Sequence, residues 1–249
     1  TSPPSPTIPG KLGLDLVVTS TDDTNLEGTA SVDLPGQTFP LNINGTLINN
    51  SDAPISVTFE VTPTLAGCAA GPPQQTTVIV EPVVEVTANS PSICYDEEAV
   101  IDVNSTYTTT NGILYTWTVF ADAGISGAQD GPLAGQALSV DIEQTLGNTL
   151  LIPQTATYTI TPYATDAGGA LACPGTSFDA VVTVNAKPNA TPINHLPAIP
   201  TNTPTAIEMD GDVPGSTFGW RVLNPGTTGA SNGSGLAIGD SIKQVLTNP

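Results

Sequence analysis

Residues 43–63 read INGTLINNSDAPISVTFEVTP, and residues 142–162 read IEQTLGNTLLIPQTATYTITP. The two stretches align without gaps, and the alignment pairs Phe59 with Tyr158 at a constant offset of 99 residues (142 − 43). Self-similarity at a fixed period is the sequence signature of repeated structural units. The chain therefore contains copies of one unit of about a hundred residues.

A second match extends the repeat toward the other end of the chain. Residues 115–119 (YTWTV) resemble residues 218–222 (FGWRV), which places Trp117 against Trp220 at an offset of 103 residues (220 − 117). The small change of offset is typical of loop insertions between strands. The sequence therefore contains three copies of the unit.

The three copies divide the 249 residues as follows. We predict that residues 1–85 form repeat 1, which lacks its beginning, and that residues 86–187 form a complete repeat 2. Residues 188–249 form repeat 3, which lacks its last strands. Pro82 and Pro188 lie at the junctions, where proline stiffens short linkers and keeps neighbouring domains extended.

Within repeat 2, apolar and polar residues alternate over short runs, as they do in half-buried strands. Turn-rich clusters separate the runs, and no window shows a comparable helical period. The predicted strands are residues 97–104, 113–120, 137–142, 155–162 and 178–185. A unit of about a hundred residues with some seven short strands and an early tryptophan is typical of an immunoglobulin-like sandwich. The predicted fold class is all-β, with such sandwiches arranged end to end.

Aromatic residues make up only 5% of the sequence, and they fall at equivalent strand positions of different repeats. Large aromatic side chains at such positions usually fill a core. We therefore predict that Trp117, Trp220, Tyr158 and Phe59 are core anchors rather than a platform for a ligand.

The charge of the chain excludes several classes of partner. There are 23 Asp and Glu residues against 4 Lys and Arg, for a formal net charge of −19. Nucleic-acid binding needs clustered Lys and Arg, and an anionic bilayer surface would repel this chain. The longest apolar runs, such as residues 77–80 and 180–184, are far shorter than the roughly 20 residues that cross a bilayer. We predict neither nucleic-acid binding nor membrane insertion.

Repeat 2 contains several motifs in a fixed order, and together they resemble a known family. The motifs read SPSICYDEEAVIDV, YTWTV, TATYTITP, ALACPG and VVTVN. In this order they resemble the PKD-like repeats of Bacteroidota surface proteins, as do residues 213–235 of repeat 3 (VPGSTFGWRVLNPGTTGASNGSG). The resemblance implies tandem PKD-like sandwiches. Long arrays of this repeat are similar to the giant gliding-motility adhesins exported by type IX secretion, which implies a stalk on the outer-membrane surface.

The chain has three cysteines, Cys68, Cys94 and Cys173, without the paired C-x2-C spacing of a zinc site. In an immunoglobulin-like topology the last strand runs parallel to the first, so the loop before the last strand returns to the start of the first strand. With Cys94 opening the first strand and Cys173 in that loop, we predict a Cys94–Cys173 disulfide. Cys68 would pair with a cysteine upstream of residue 1. Three free buried thiols are the alternative.

Catalytic patterns in the sequence are weak. Residues 229–233 (GASNG) fit the G-x-S-x-G nucleophile elbow, and His195 is the only histidine that could act as its base. A nucleophile elbow needs a strand-turn-helix context that a Gly-rich β loop lacks, and repeat 2 has Gln129 where Ser231 stands. The acidic residues are scattered over turns of different repeats. We predict no enzymatic activity and no catalytic residues.

Calcium is the one cofactor that the composition favours, because acidic turns can supply hard oxygen ligands. The candidate ligands are Asp22 and Asp23 in one turn and Asp210 and Asp212 in another. Neither turn matches an EF-hand loop, so an ordinary solvated turn is the alternative. We otherwise predict no metal and no cofactor.

The leading hypothesis for function is a structural stalk segment of a large cell-surface adhesin, located extracellularly and attached to the outer membrane. Its partners would be the neighbouring repeats, together with surface polysaccharide, other cells or the secretion and motility machinery. Two alternatives stay open. One is a carbohydrate- or protein-binding module of a secreted enzyme, which needs grouped exposed aromatics. The other is a filament subunit that exchanges strands between chains.

Overall fold

The structure, a computed structural model, describes residues 12–22, 24–32, 43–65, 68–223 and 226–248. All regular elements in these ranges are β-strands, and the ranges contain no helix. The all-β prediction is therefore confirmed. Within the described part of the chain there is accordingly no helix with the length and apolar character needed to span a bilayer.

Repeat 1 contributes two small sheets. Its strands are β1 (Leu12–Ser20), β2 (Leu26–Val32), β3 (Ile43–Asn49), β4 (Ile55–Leu65) and β5 (Gln74–Val80). One sheet has the order β1-β4-β5 and the other pairs β2 with β3, all antiparallel. A small core forms around Ile55, Val57 and Phe59, which alternate along one face of β4.

Repeat 2 is a β-sandwich of a large and a small sheet. Its strands are β6 (Thr87–Ala88), β7 (Ser92–Ile93), β8 (Glu97–Ile101), β9 (Val103–Asn104), β10 (Ile113–Ala121), β11 (Ile125–Ser126), β12 (Gln136–Ala137), β13 (Ile142–Asn148), β14 (Gln154–Thr165), β15 (Leu171–Pro174) and β16 (Phe178–Val184). The large sheet has the order β12-β10-β14-β16-β7, with β15 also on β14, and the small one has the order β11-β13-β8. Strands β6 and β9 form a separate short antiparallel pair.

The core of repeat 2 lies between the two sheets. Strand β14 alternates strictly, so Ala156, Tyr158 and Ile160 point inward and are completely buried. They meet Ile142 and Leu146 of the opposite sheet in one continuous apolar cluster. This face-to-face packing of two alternating sheets is the architecture of a β-sandwich.

Repeat 3 has seven short strands in the described residues. They are β17 (Ile193–Asn194), β18 (Thr203–Pro204), β19 (Ile207–Glu208), β20 (Thr217–Trp220), β21 (Gly233–Ala237), β22 (Ser241–Ile242) and β23 (Val245–Leu246). They form a β17-β19-β22 sheet and two pairs, β18-β23 and β20-β21. Strand β20 corresponds to β10, and in these residues it has a neighbour only on the β21 side.

Most of the predicted strands of repeat 2 are present in the structure, but one is wrong. The structure contains strands that overlap residues 97–104, 113–120, 155–162 and 178–185. The predicted strand at residues 137–142 is instead a turn, closed by a hydrogen bond from Val140 N to Ala137 O (3.0 Å), and β13 begins only at Ile142. Alternation continues through this turn by coincidence, so periodicity alone did not reveal it.

The linker between repeats 1 and 2 is attached to repeat 2 by several hydrogen bonds. Val84 is buried (1% exposed), and its carbonyl accepts a hydrogen bond from Thr176 N (2.9 Å). Glu85 forms an isolated parallel bridge with Thr176. At the start of the linker, the Glu81 carboxylate accepts a hydrogen bond from Thr110 N of repeat 2 (3.2 Å).

Candidate functional site

Trp117 is held by a set of contacts that we name the tryptophan clamp, formed by Trp117, Gln129, Gln144 and Tyr158. The indole N–H of Trp117 donates to the Gln129 carbonyl (3.0 Å), and Gln144 Nε2 donates to the same carbonyl (2.7 Å). Gln144 Oε1 accepts from Gln129 N (2.9 Å), so the glutamine amide pairs with the backbone of residue 129 on both sides. The loop over the indole is thereby fixed to the opposite sheet.

Tyr158 completes the clamp from the core. Its ring is fully buried, and its hydroxyl donates to Gln144 Oε1 (2.8 Å). Burial raises the pKa of Tyr158 to about 12, so the hydroxyl keeps its proton at neutral pH. Trp117, at 8% exposed, and Tyr158 thus occupy the core positions expected for them, with their polar atoms paired as buried aromatics require.

Repeat 3 contains the same clamp without the tyrosine. Trp220 Nε1 donates to the Ser231 carbonyl (3.1 Å), and Gln244 Nε2 donates to that carbonyl as well (2.7 Å). Gln244 Oε1 accepts from Ser231 N (3.1 Å). Trp220 is only half-buried, so its predicted role as a core anchor is realised in part.

Repeat 1 has a different residue at each of three clamp positions, those of Trp117, Gln144 and Tyr158. The strand registers place Leu16 opposite Val61 and Trp117 opposite Ile160, which makes Leu16 the equivalent of Trp117. At the constant offset of 99, Gly45 takes the place of Gln144 and Phe59 the place of Tyr158. A buried tyrosine hydroxyl needs a partner, so the loss of the glutamine and of the hydroxyl go together. Phe59, at 6% exposed, still fills the core.

A buried asparagine fixes the end of the small sheet in repeats 1 and 2. Asn148 is 2% exposed, and its Nδ2 donates to the carbonyls of Ile152 (2.8 Å) and Val184 (2.9 Å). Asn49 makes the equivalent bonds to Ala53 and Val80, both at 2.8 Å. Sequence analysis assigned no role to these asparagines or to Gln144. The signal available in the sequence was the asparagine that ends INGTLIN, IEQTLGN and IKQVLTN, and the glutamine shared by the last two.

We expect Asn148→Ala to destabilise repeat 2 by about 2 kcal/mol, because the carbonyls of Ile152 and Val184 lose a donor and the bond to Val184 is buried. Amide hydrogen exchange along β14 measures this effect separately from the neighbouring repeats. Gln154→Ala is the matched control, since Gln154 donates only to the adjacent Pro153 carbonyl at the surface (2.9 Å), and should cost less than about 0.5 kcal/mol. Equal exchange in the two variants would contradict a structural role for Asn148.

The predicted Cys94–Cys173 disulfide is wrong: all three cysteines are free and exposed. Cys94 does not open the first strand but follows its last segment β7, whose Ile93 lies beside Val184 at the end of β16. Cys173 lies beside Ala164, whereas Val184 lies beside Gln154. Ten residues of β14 span roughly 30 Å, whereas a disulfide needs Cα atoms within about 7 Å.

Cys68 lies just beyond β4, and its N–H donates to the Leu65 carbonyl (2.9 Å). Its proposed partner would lie outside the chain, so this pairing stays a prediction. The alternative of three buried thiols is also wrong, because the cysteines are exposed.

The candidate calcium ligands lie in two separate repeats, and their carboxylates cap local turns. Asp22 accepts hydrogen bonds from Thr24 N (3.0 Å) and Asn25 Nδ2 (2.6 Å), and the Asn25 side chain chiefly lowers its pKa. Asp212 accepts from the backbone and side chain of Asn189 (both 2.8 Å), which lower its pKa.

Asp210 accepts a hydrogen bond from Gly211 N (2.8 Å), and Asp23 lies outside the described residues. The described ranges hold no group of three or more His, Cys, Asp or Glu side chains that could bind a metal ion.

The nucleophile-elbow residues are not brought together. Ser231 belongs to the clamp of repeat 3, where its hydroxyl accepts from Gln244 Nε2 (3.1 Å). His195 Nε2 instead lies 2.6 Å from Glu208 Oε2, with half of the imidazole exposed. The serine and the histidine thus have different partners.

Repeat 2 is thus a sandwich whose first and last strands pair in parallel and whose core holds buried aromatic side chains. Residues 91–188 match the family model of the PKD-like domain. The matched residues include all strands of repeat 2 from β7 to β16. Comparison of the chain with curated proteins finds no match.

The match supports the sandwich interpretation of the sequence motifs. Within the matched residues, the YTWTV motif supplies Trp117 and the TATYTITP motif supplies Tyr158, and Gln144 is hydrogen-bonded between them. The match ends at residue 188, where the linker to repeat 3 begins. Lys187 lies with its Nζ 4.9 Å above the Tyr95 ring, which holds the start of this linker against the domain.

Proposed function

We propose that this chain is a structural stalk segment of a large repetitive bacterial cell-surface adhesin, with a role in surface attachment or gliding motility. In this proposal the repeats supply length, and each repeat contacts only its neighbours in the array. The chain is extracellular, is attached at the outer membrane and is carried there by type IX secretion.

The attached linkers carry this proposal. Residues 81–85 bond to repeat 2 through the backbone of Val84 and the carboxylate of Glu81, and Thr108 N donates to the Asp52 carbonyl of repeat 1 (2.8 Å). After Lys187, Asn189 is held by Asp212 of repeat 3. Hydrogen bonds between a linker and the adjoining repeat resist bending, which a stalk requires and a flexible tether does not.

The distribution of aromatic residues supports a structural role over a carbohydrate-binding module. Among the described residues, Phe120 is the one large aromatic side chain that is mostly exposed (74%), whereas Trp117, Tyr115 and Tyr158 are buried. A sugar platform needs several exposed aromatics on one face. The net charge of −19 favours an extended, soluble array over contact with acidic polymers.

Small-angle X-ray scattering of the chain tests the proposal. A compact particle of 249 residues would have a radius of gyration of about 18 Å. Three sandwiches in a row, each about 35 Å long, give roughly 30 Å. We expect the larger value, and a value near 18 Å would contradict a stalk.

Two insertion variants provide the matched control for this measurement. A flexible Gly-Ser insertion after Pro82 separates the linker contacts of Glu81 from those of Val84, and it should broaden the distribution of particle lengths. The same insertion between Gly168 and Gly169, in an exposed turn of repeat 2, should leave the distribution unchanged. Identical scattering from both variants would show that the linker contacts do not stiffen the junction.

A further inference from the structure

The first and last segments of repeat 2 run side by side in one parallel register. Glu85 bridges to Thr176, and Ile93 of β7 pairs with Val184 of β16. The offset is therefore 91 residues at both ends (176 − 85 and 184 − 93). Because the offset is constant, the two segments stay aligned from one end of the repeat to the other. We name this pairing the terminal ladder, and its segments are residues 84–93 and 176–185.

Two polar side chains complete the terminal ladder where backbone pairing is interrupted or ends. In its middle, β6 pairs with β9 instead of β16, and the Ser90 hydroxyl accepts a hydrogen bond from Val181 N (3.1 Å). Where the last segment leaves the repeat, Asn185 Nδ2 donates to the Ile93 carbonyl (3.0 Å) and to the Ser92 hydroxyl (3.2 Å). Each side chain therefore adds direct hydrogen bonds between the two segments.

A pull along the chain loads the backbone hydrogen bonds of the terminal ladder in shear. These bonds run from Thr176 N to the Val84 carbonyl (2.9 Å), from Thr183 N to the Pro91 carbonyl (3.0 Å) and from Asn185 N to the Ile93 carbonyl (2.9 Å). Tension enters at residue 84 from repeat 1 and leaves after residue 185 toward repeat 3, at opposite ends of the ladder. The two parallel segments are pulled past each other, so all of the bonds carry the force together. An antiparallel hairpin pulled from its two free ends would instead open one bond at a time.

We propose that the terminal ladder is a mechanical lock by which repeat 2 resists tension along the chain, and that Ser90 and Asn185 are part of this lock. Its use in the protein rests on the stalk proposed above, because a stalk under tension needs repeats that stay folded. The geometry of the lock does not depend on that proposal, since both of its segments lie within repeat 2. Forced unfolding is governed by the rate of unfolding, so the bonds that must break first set the strength of the repeat.

Single-molecule pulling of the same chain in two directions tests the lock. The chain carries Cys68→Ser and Cys173→Ser, which leaves Cys94 as the one thiol, and all three positions are exposed. Pulling through the two chain termini shears the ladder. Pulling through Cys94 and the C-terminus opens the ladder from one end, because Cys94 follows Ile93, which lies beside Val184 near the exit of the last segment. The folded protein is identical in both directions, so its equilibrium stability cannot explain a difference in force.

We expect the unfolding force of repeat 2 to be several times larger through the termini than through Cys94, at the same pulling speed. The unfolding of repeat 2 is identified by the length of chain that it releases. Residues 85–185 number 101 (185 − 85 + 1), and they extend by about 300 Å beyond the length of the folded repeat.

Ser90→Ala and Asn185→Ala test the two side chains of the lock. At constant force through the termini, the lifetime of folded repeat 2 should fall about fivefold without the Ser90 bond and about tenfold or more without both Asn185 bonds. Thr159→Ala is the matched control, because Thr159 donates to Asp179 (2.7 Å) between β14 and β16, outside the ladder. That bond is still intact when the ladder yields, so its loss should leave the lifetime under force unchanged.

Two results would overturn the proposal. The first is an equal unfolding force in the two pulling directions, and the second is an equal lifetime of the Ser90, Asn185 and Thr159 variants under force. Both are separate from the scattering test of the stalk. A compact particle with direction-dependent strength would contradict the stalk and support the lock, whereas an extended particle with equal forces would contradict the lock alone.

Discussion

Replacing Trp117 by alanine is expected to destabilise repeat 2 by about 3–5 kcal/mol. The indole is buried in the core, and its loss also removes one of the two donors to the Gln129 carbonyl and the surface on which Gly131 rests. A Cβ on Gly131 would lie 2.5 Å from the indole ring, which shows how closely the loop packs there.

Amide hydrogen exchange along β14 measures this loss in repeat 2 alone. At about 1.4 kcal/mol per tenfold change, protection should fall between about 100-fold and several thousand-fold. Trp220→Ala in repeat 3 is the matched control, because Trp220 makes the same N–H bond from a half-buried position and should cost clearly less. Equal losses in the two repeats would contradict the view that the deeper burial of Trp117 makes the difference between them.

Gly127→Ala is expected to have the second largest effect, about 3 kcal/mol, for a different reason. Gly127 has a φ of +88°, and a Cβ at this position would lie 2.1 Å from the Thr145 carbonyl oxygen. The left-handed backbone alone costs an alanine roughly 1–2 kcal/mol, and the collision with backbone adds to that cost. The two strands β11 and β13 would have to separate.

Gly169→Ala isolates the contribution of the collision. Gly169 has a similar φ of +78°, but a Cβ there has no atom within 4 Å. This variant should cost only about 1 kcal/mol, measured by the same hydrogen exchange along β14. If both glycine variants had the same effect, backbone conformation alone would explain the requirement at residue 127.

Equivalent glycines recur at this corner in the other repeats. A Cβ on Gly28 would lie 1.9 Å from the Thr46 carbonyl oxygen, and one on Gly229 would lie 2.0 Å from that of Val245. The same close approach of two backbones therefore occurs in all three repeats, including repeat 1, which lacks the tryptophan clamp. The corner belongs to the fold itself, and the clamp is an addition in repeats 2 and 3.

The amino-acid sequence by itself determined the period, the β class and the buried aromatic positions of this protein. These properties depend on local patterns: alternation along β14 places Tyr158 and Ile160 on one face, and the constant offset links Phe59 with Tyr158. Such patterns need no knowledge of which strands meet.

Only the tertiary structure decided where the cysteines lie and which residues form the tryptophan clamp. The first strand of repeat 2 is divided into β6 and β7. The parallel register of β7 with β16 places Cys94 at the opposite end of the sheet from Cys173. Gln144 meets Tyr158 and Gln129 across the sandwich through non-local contacts that periodicity does not encode. A strand's pattern determines which side chains face inward, whereas its pairing determines which of them meet.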